Sequence, residues 1–438
     1  MSTATARSIR LAQRPGEPAS MVIAGARILD PAAGIDDVGD LVVRDGVIGG
    51  DPDGLERIDG AGTLVTPGFV DPHVHLRTPG REDTEDLATG SRAAAAGGFV
   101  TVLAMPNTTP VVDSAAVLGS LLEQGTREAV VRVGFFAAIT VGQQGRTLTE
   151  QGELADLGAA GFSDDGRPVA NAEVLRRAYQ YQQVTGLPLV LHEEDMDLSA
   201  GGVMHEGLVS SRLGLRGIPD VSESVQVARD LALAAYEGAH VHICHVSACK
   251  TVEVIRLAKA QGVNVTAEVT PHHLILTDER VLELDAARHK MNPPLRSEED
   301  RQALIAALLD GTLDCVATDH APHAPQEKES PFEEAPFGVT GLETAFSSCY
   351  THLVLTGLVP LEILVRRMST DPAAALGLPV PTLADGAEAN LAVIDLNARE
   401  RVGDRGFQSK SANSAFLGDE LAGRVLMTIA GGQTAWQM

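Results

Sequence analysis

Short apolar runs recur along the middle of the chain, and most are followed by a stretch that is apolar at every third or fourth position. The runs cover residues 69–76, 99–105, 130–139, 161–163, 187–192, 240–245, 263–269 and 314–319. The stretches with helical periodicity cover 86–96, 115–124, 171–184, 222–236, 251–260 and 298–309. Short apolar runs fit buried strands, and a three-to-four spacing fits helices with one buried face. Eight such strands alternating with helices predict an α/β fold, a (β/α)8 TIM-like barrel over residues 67–384. The run at 161–163 is the weakest of the eight.

The two ends have a different pattern. Residues 20–62 hold short β-rich segments, among them 21–24, 40–43 and 47–48, with Asp45-Gly46 as a tight-turn signal. Residues 390–395 and 423–430 look alike in this respect. The expectation is a small β-sandwich domain built from both termini, residues 21–66 with 385–438. Helical segments at 361–368 and 371–376 would connect the barrel to it. Residues 1–20 carry Arg7, Arg10 and Arg14 without an apolar segment, which predicts a disordered tail.

Placing the polar residues on these strands exposes candidate chemistry. His73 and His75 stand two apart at the end of the first barrel strand, so both imidazoles share a face. His192 ends the fifth strand, His245 the sixth and Asp319 the eighth. Barrel active sites form at the C-terminal ends of the strands, so these four strand ends offer metal ligands at one rim. Asp164 and Asp165 follow the fourth strand, where one carboxylate can bridge two ions. Four His and two Asp exceed the needs of one catalytic zinc, which takes three protein ligands and a water. They suit two metals sharing a hydroxide. Arg77, two residues beyond His75, would share its face if the strand continued, and could grip a carboxylate bidentately. Asn107, Asn292 and His323 sit in rim loops, as does the pair His272-His273.

Charge narrows the ligand class. The formal net charge of -25 argues against nucleic acid and anionic membranes. A small anionic substrate would need a local positive site, which Arg77 and metal ions would supply. The four cysteines, Cys244, Cys249, Cys315 and Cys349, form no CxxC pair. That pattern favours a reducing cytoplasm. No apolar run approaches the ~20 residues of a membrane span.

Together these stretches resemble the amidohydrolase superfamily, and more narrowly the class I bacterial dihydroorotases. The resemblance runs from about Met21 to the C-terminus. It rests on the segments beginning Pro67-Gly68-Phe69-Val70-Asp71-Pro72-His73, Met105-Pro106-Asn107, Phe162-Ser163-Asp164-Asp165-Gly166, His192-Glu193-Glu194 and His245-Val246-Ser247. Asn292-Pro293-Pro294, Thr318-Asp319-His320-Ala321-Pro322-His323 and Pro336-Phe337-Gly338 complete the set. The resemblance implies two zinc ions held by His73, His75, His192, His245 and a bridging carboxylate. Many superfamily members bridge with a carbamylated Lys. The first Lys here is Lys250, and the resemblance favours Asp165 over Asp164 as the bridge. It implies reversible hydrolysis of dihydroorotate to N-carbamoyl-L-aspartate in pyrimidine biosynthesis. Asp319 would act as general base and approach the first metal. Arg77, Asn107 and His323 would clamp the substrate carboxylate, with Asn292, Phe337 and Gly338 at the ring edges. Members of this family often form homodimers, and some associate with aspartate carbamoyltransferase. The rivals are a hydantoinase or dihydropyrimidinase, an allantoinase, or a non-catalytic partner subunit of the same fold. The segment 325–334, rich in Glu, is a candidate mobile lid.

Overall fold

The computed structural model describes residues 8–438. At the N-terminal end come β1 (Met21–Asp30), β2 (Ile35–Arg44), β3 (Val47–Ile48), β4 (Glu56–Asp59) and β5 (Leu64–Pro67). Asp45 and Gly46 both adopt positive φ, at 51° and 79°, and join β2 to β3 in the two-residue turn that the Asp-Gly pair favours.

The middle of the chain supplies β6 (Phe69–Val74), β7 (Phe99–Ala104), β8 (Arg132–Phe135) and β9 (Leu189–Leu191). Next come the two-residue strands β10 (Met204–His205) and β11 (Gly217–Ile218), then β12 (Val241–Ile243), β13 (Val265–Val269) and β14 (Cys315–Val316). Strands β6, β7 and β8 pair in parallel, and so do β9, β12, β13 and β14 in that spatial order. Parallel neighbours need crossovers, and helices such as Leu87–Ala96, Ala115–Glu128, Ala172–Thr185, Val221–Glu237, Cys249–Ala260 and Glu298–Asp310 provide them. Their starts are marked by capping side chains: Asp86, Asn171 and Ser297 each accept backbone N–H bonds of the first turn. The short run at 161–163 contributes a single residue, Phe162, bridged to Ala137 on one side and to Leu189 on the other. Val74 bridges in parallel to His320. The polar excursion between β9 and the helix Val221–Glu237, which holds β10 and β11, had no sequence signal.

Side chains of these strands alternate between two environments. Leu189, Leu191, Val241, Ile243, Val265, Ala267 and Val269 join the large core beneath the helices. Val70, Leu103, Phe136, Val190 and Cys244 form a separate cluster with Ala160. The period of two therefore sends His242, Thr266 and Glu268 to the face opposite the helices.

The C-terminal strands β15 (Leu391–Arg401), β16 (Glu420–Ala430) and β17 (Gln433–Gln437) return to the N-terminal strands, with β15 antiparallel to β5. A sandwich of two sheets was expected here. Hydrogen bonds instead join both termini into one eight-stranded sheet over a core that includes Ile23, Val43, Val65, Leu391 and Ile429.

Residues 8–20 also differ from the expected disordered tail, whose first seven residues lie outside the described ones. Ala12 bridges to Val133 and Pro18 to Gln433, and Gln13 Nε2 donates to Val130 O and Ala430 O. Ile9 and Leu11 pack on the cluster that holds Val70 and Phe136. Two half-buried apolar residues among polar ones help tie this segment down, a pattern too short to read as an element in the sequence.

Candidate metal centre

His73 lies in β6 and His75 one residue past its end, where His75 N donates to His320 O at 2.8 Å. His192 follows β9 directly, and His245 lies two residues beyond β12. Asp165 sits after the Phe162 bridge and reaches toward all four imidazoles. Its Oδ1 is 3.5 Å from His73 Nε2, 3.7 Å from His192 Nδ1 and 3.9 Å from His245 Nε2. Its Oδ2 is 3.7 Å from His75 Nε2. Two buried groups of potential ligands share this carboxylate, His73-His75-Asp165 and Asp165-His192-His245.

Asp164 turns the other way. Its Oδ1 accepts the N–H groups of Ile139 at 2.9 Å and Thr140 at 3.0 Å, and its Oδ2 accepts the Thr140 hydroxyl. It holds the preceding loop and does not reach the histidines.

Asp319 follows β14 with a φ of 47°, and its Oδ1 is 3.0 Å from His75 Nε2 and 3.6 Å from His73 Nε2. Three of the five described non-glycine residues with positive φ are Arg77, His245 and Asp319. Left-handed backbone costs L-residues energy, of order 1–3 kcal/mol, and tends to gather where function demands it.

The electrostatics favour a cation. Burial opposes charge on His73, yet the carboxylates of Glu268, Asp165 and Asp319 outweigh it and push the imidazole up to about 10. Burial likewise works against the charged forms of Asp165 and Asp319, and the surrounding imidazoles hold both carboxyls well below their usual range. His73 Nε2 and Asp165 Oδ1 are buried without a hydrogen-bond partner. Unpaired buried polar atoms are costly, and a divalent cation between them satisfies both. Nitrogen and carboxylate donors in this arrangement fit a zinc-type ion.

The expected substrate groups fare unevenly. Arg77 does not extend the strand face of His75, because β6 ends at Val74 and Arg77 takes a φ of 58°. The turn nevertheless leaves it near the ligands: its Nε donates to Pro322 O at 3.1 Å, and Asp319 and Asp165 act electrostatically on its charge. Asn107 bonds the ligands themselves, with Oδ1 at 2.9 Å from His75 Nδ1 and Nδ2 donating to Asp165 Oδ2 at 2.9 Å. Asn292 Nδ2 donates to Glu194 Oε2 at 2.8 Å, and that carboxylate also faces His192 Nε2 at 3.2 Å. His323 Nε2 donates to Phe337 O at 2.8 Å, while Gly338 N donates to Lys290 O at 2.9 Å. His323 Nδ1 has no hydrogen-bond partner. His272 and His273 are buried behind the rim, with His273 Nε2 bonded to Pro293 O at 3.0 Å.

The segment 325–334 is anchored by two lysines. Lys328 Nζ donates to the carbonyls of Ala287, Lys290 and Pro336, and Lys290 Nζ donates to those of Phe332 and Glu333.

One residue beside the ligands had escaped the sequence reading. Glu268, in β13, accepts from His73 Nδ1 at 2.7 Å and from His242 Nε2 at 3.0 Å. An acid in the middle of the apolar strand Val265–Val269 was the available signal.

Comparison with known proteins agrees with this geometry. The family described as "Dihydro-orotase-like" matches residues 62–251. A dihydroorotase from Pelotomaculum thermopropionicum is 48% identical over 95% of this chain and 98% of its own length. One from Geobacter sp. strain M21 is 46% identical over 95% of this chain and 99% of its own. The chain belongs to the dihydroorotase family. Among solved structures this family member is similar to an L-hydantoinase (dihydropyrimidinase) from Arthrobacter aurescens. The two are 26% identical, with a TM-score of 0.84 over 95% of this chain and 96% of the other. The Asp165 cluster offers this family member two buried groups of side chains with the spacing a metal ion needs. No helix among the described residues is long and apolar enough to cross a membrane.

Proposed function

We propose that this chain is a class I dihydroorotase that opens and closes the ring of dihydroorotate at a two-zinc site. The observation that carries this reading is the Asp165 carboxylate set among His73, His75, His192 and His245. Asp165 would take the bridging place, in a chain whose first lysine is Lys250. The parallel pairings of β6 to β14, with the Phe162 and Val74–His320 bridges, support a (β/α)8 barrel over residues 67–384. Residues 21–66 and 385–438 would form the companion domain.

When bound, divalent metal supplies Lewis acidity, acidifying water and polarising an amide carbonyl. The protein supplies the rest. Asp319 takes the proton of the attacking water and returns it to the amide nitrogen as the ring C–N bond breaks. In the biosynthetic direction the same carboxyl moves the proton the other way. The Arg77 guanidinium pairs with the substrate carboxylate, which orients the ring before reaction. His323 assists that grip, and Asn292, Phe337 and Gly338 line the ring edges. Asn107 serves both the ligands and the substrate side, since its amide already joins His75 to Asp165.

The test is turnover of dihydroorotate against hydantoin, dihydrouracil and allantoin by one preparation. The proposal expects dihydroorotate to be preferred by orders of magnitude in kcat/KM. Preference for a ring without a carboxylate would assign the chain to the hydantoinase branch.

A further inference from the structure

The inner face of β12 and β13 carries a chain of hydrogen bonds that ends on a metal ligand. His240 Nε2 lies 3.2 Å from Thr266 Oγ1, and Thr266 Oγ1 lies 2.8 Å from His242 Nδ1. His242 Nε2 lies 3.0 Å from Glu268 Oε2, and Glu268 Oε1 lies 2.7 Å from His73 Nδ1. Glu268 Oε1 also accepts the backbone N–H of His245 at 3.3 Å. His73, His242 and Glu268 are fully buried, and Thr266 is half-buried.

Donor and acceptor counting gives this chain one direction. A carboxylate only accepts, so both imidazole nitrogens facing Glu268 carry hydrogen. His242 is then protonated at Nε2, and its Nδ1 accepts from the Thr266 hydroxyl. Thr266 Oγ1 in turn accepts from His240 Nε2–H. Each group donates once in the same sense, and the hydrogen bonds close without calling for a second proton on any imidazole. The consequence at the far end is specific. His73 carries hydrogen at Nδ1, which leaves Nε2, facing Asp165 and Asp319 without a hydrogen-bond partner, as the nitrogen a metal ion would take.

We propose that Glu268 and His242 are positioning residues of the metal centre: Glu268 fixes the tautomer and ring plane of His73 and the main chain of His245, and His242 holds Glu268 in place. The inference rests on the metal-centre reading of His73 and His245. A carboxylate behind a ligating imidazole is a general way to orient the ring and raise its basicity, and losing it costs roughly 10- to 100-fold in metal affinity. Here one carboxylate serves two ligands, through the side chain of one and the backbone of the other. A rival occupant of the same place is a cation, because Cys244, His73 and Glu268 also form a buried trio with ligand atoms within 4.8 Å of one another.

The experiment measures zinc content and zinc affinity, by elemental analysis and chelator competition, in the wild type and in Glu268→Gln, His242→Leu and His242→Gln. The positioning role predicts two zinc per chain in the wild type and a 10- to 100-fold weaker affinity in Glu268→Gln. It predicts a loss in the same direction for His242→Leu. His242→Gln should recover most of the affinity, since a Gln amide N–H can replace His242 Nε2–H. If Glu268→Gln does not fold, the two His242 variants decide the matter alone. Unchanged affinity in Glu268→Gln, or equal losses in both His242 variants, would overturn the proposal. So would a third zinc that Glu268→Gln loses while the other two bind as before, because Glu268 would then be a ligand. A wild type that binds no zinc would overturn the metal-centre reading and this inference with it. Zinc bound normally with unchanged affinity in the variants would overturn the inference alone.

Discussion

Asp165 Oδ1 lies 3.5 Å from His73 Nε2, and neither atom has a hydrogen-bond partner within the protein. The adjacent Asp164 is fully engaged with Ile139 and Thr140. Two neighbouring carboxylates therefore have separate duties. Asp165→Asn should lower metal content and activity together. Asp164→Asn should retain metal but lose stability, by about 1–3 kcal/mol for disturbed buried hydrogen bonds. Elemental analysis with thermal unfolding of both variants checks this, and equal metal loss in the two would contradict it.

Asp319 and Asp165 both act on the charge of Arg77. Arg77→Met should raise KM for dihydroorotate roughly 10- to 150-fold, the equivalent of about 1.5–3 kcal/mol for a charged hydrogen bond. Arg77→Lys should recover little of it, because a point charge does not reproduce a bidentate fork. Steady-state kinetics of the two variants is the check.

Asp319 presents Oδ1 to His75 and His73 from a left-handed backbone. Removing a positioned general base costs about 10²- to 10⁴-fold. Asp319→Ala should show that loss in kcat while zinc bound at the Asp165 cluster persists. Activity near that of the wild type would remove Asp319 from the mechanism.

Glu343 gives a pH signature away from the metal. Burial, outweighing the bonds from Gln408 N and Ser409 N, pushes its carboxyl up to about 7 from 4.5. The folded state then binds more protons than the unfolded one between those values. Stability from this group is complete below pH 4.5 and is lost as pH rises through 7. Glu343→Gln should gain stability relative to the wild type across that window, by at most about 3 kcal/mol. Denaturant unfolding of both proteins at pH 5 and pH 8 measures the difference.

Much of this site was legible because strand ends are easy to find. His73, His75, His192, His245 and Asp319 each close an apolar run, and the structure brings them around Asp165. Arg77 reached the right neighbourhood for a reason the sequence reading did not foresee, since a positive-φ turn and not a longer strand carries it there. Glu268 and His242 were missed because alternation in β12 and β13 looks the same whether an inward polar residue is functional or merely satisfied. Their significance appears only when three strands are side by side. The pairing of residues 8–20 with β8 and β17 depended on long-range contacts that no local pattern announces.

The central claim is a pair of metals linked by Asp165 acting on dihydroorotate. The direct measurement is a zinc titration of metal-stripped protein, followed by its rate of dihydroorotate hydrolysis. The account predicts negligible activity without zinc and a plateau at two equivalents per chain. Full activity in stripped protein, or a plateau at one equivalent, would contradict it.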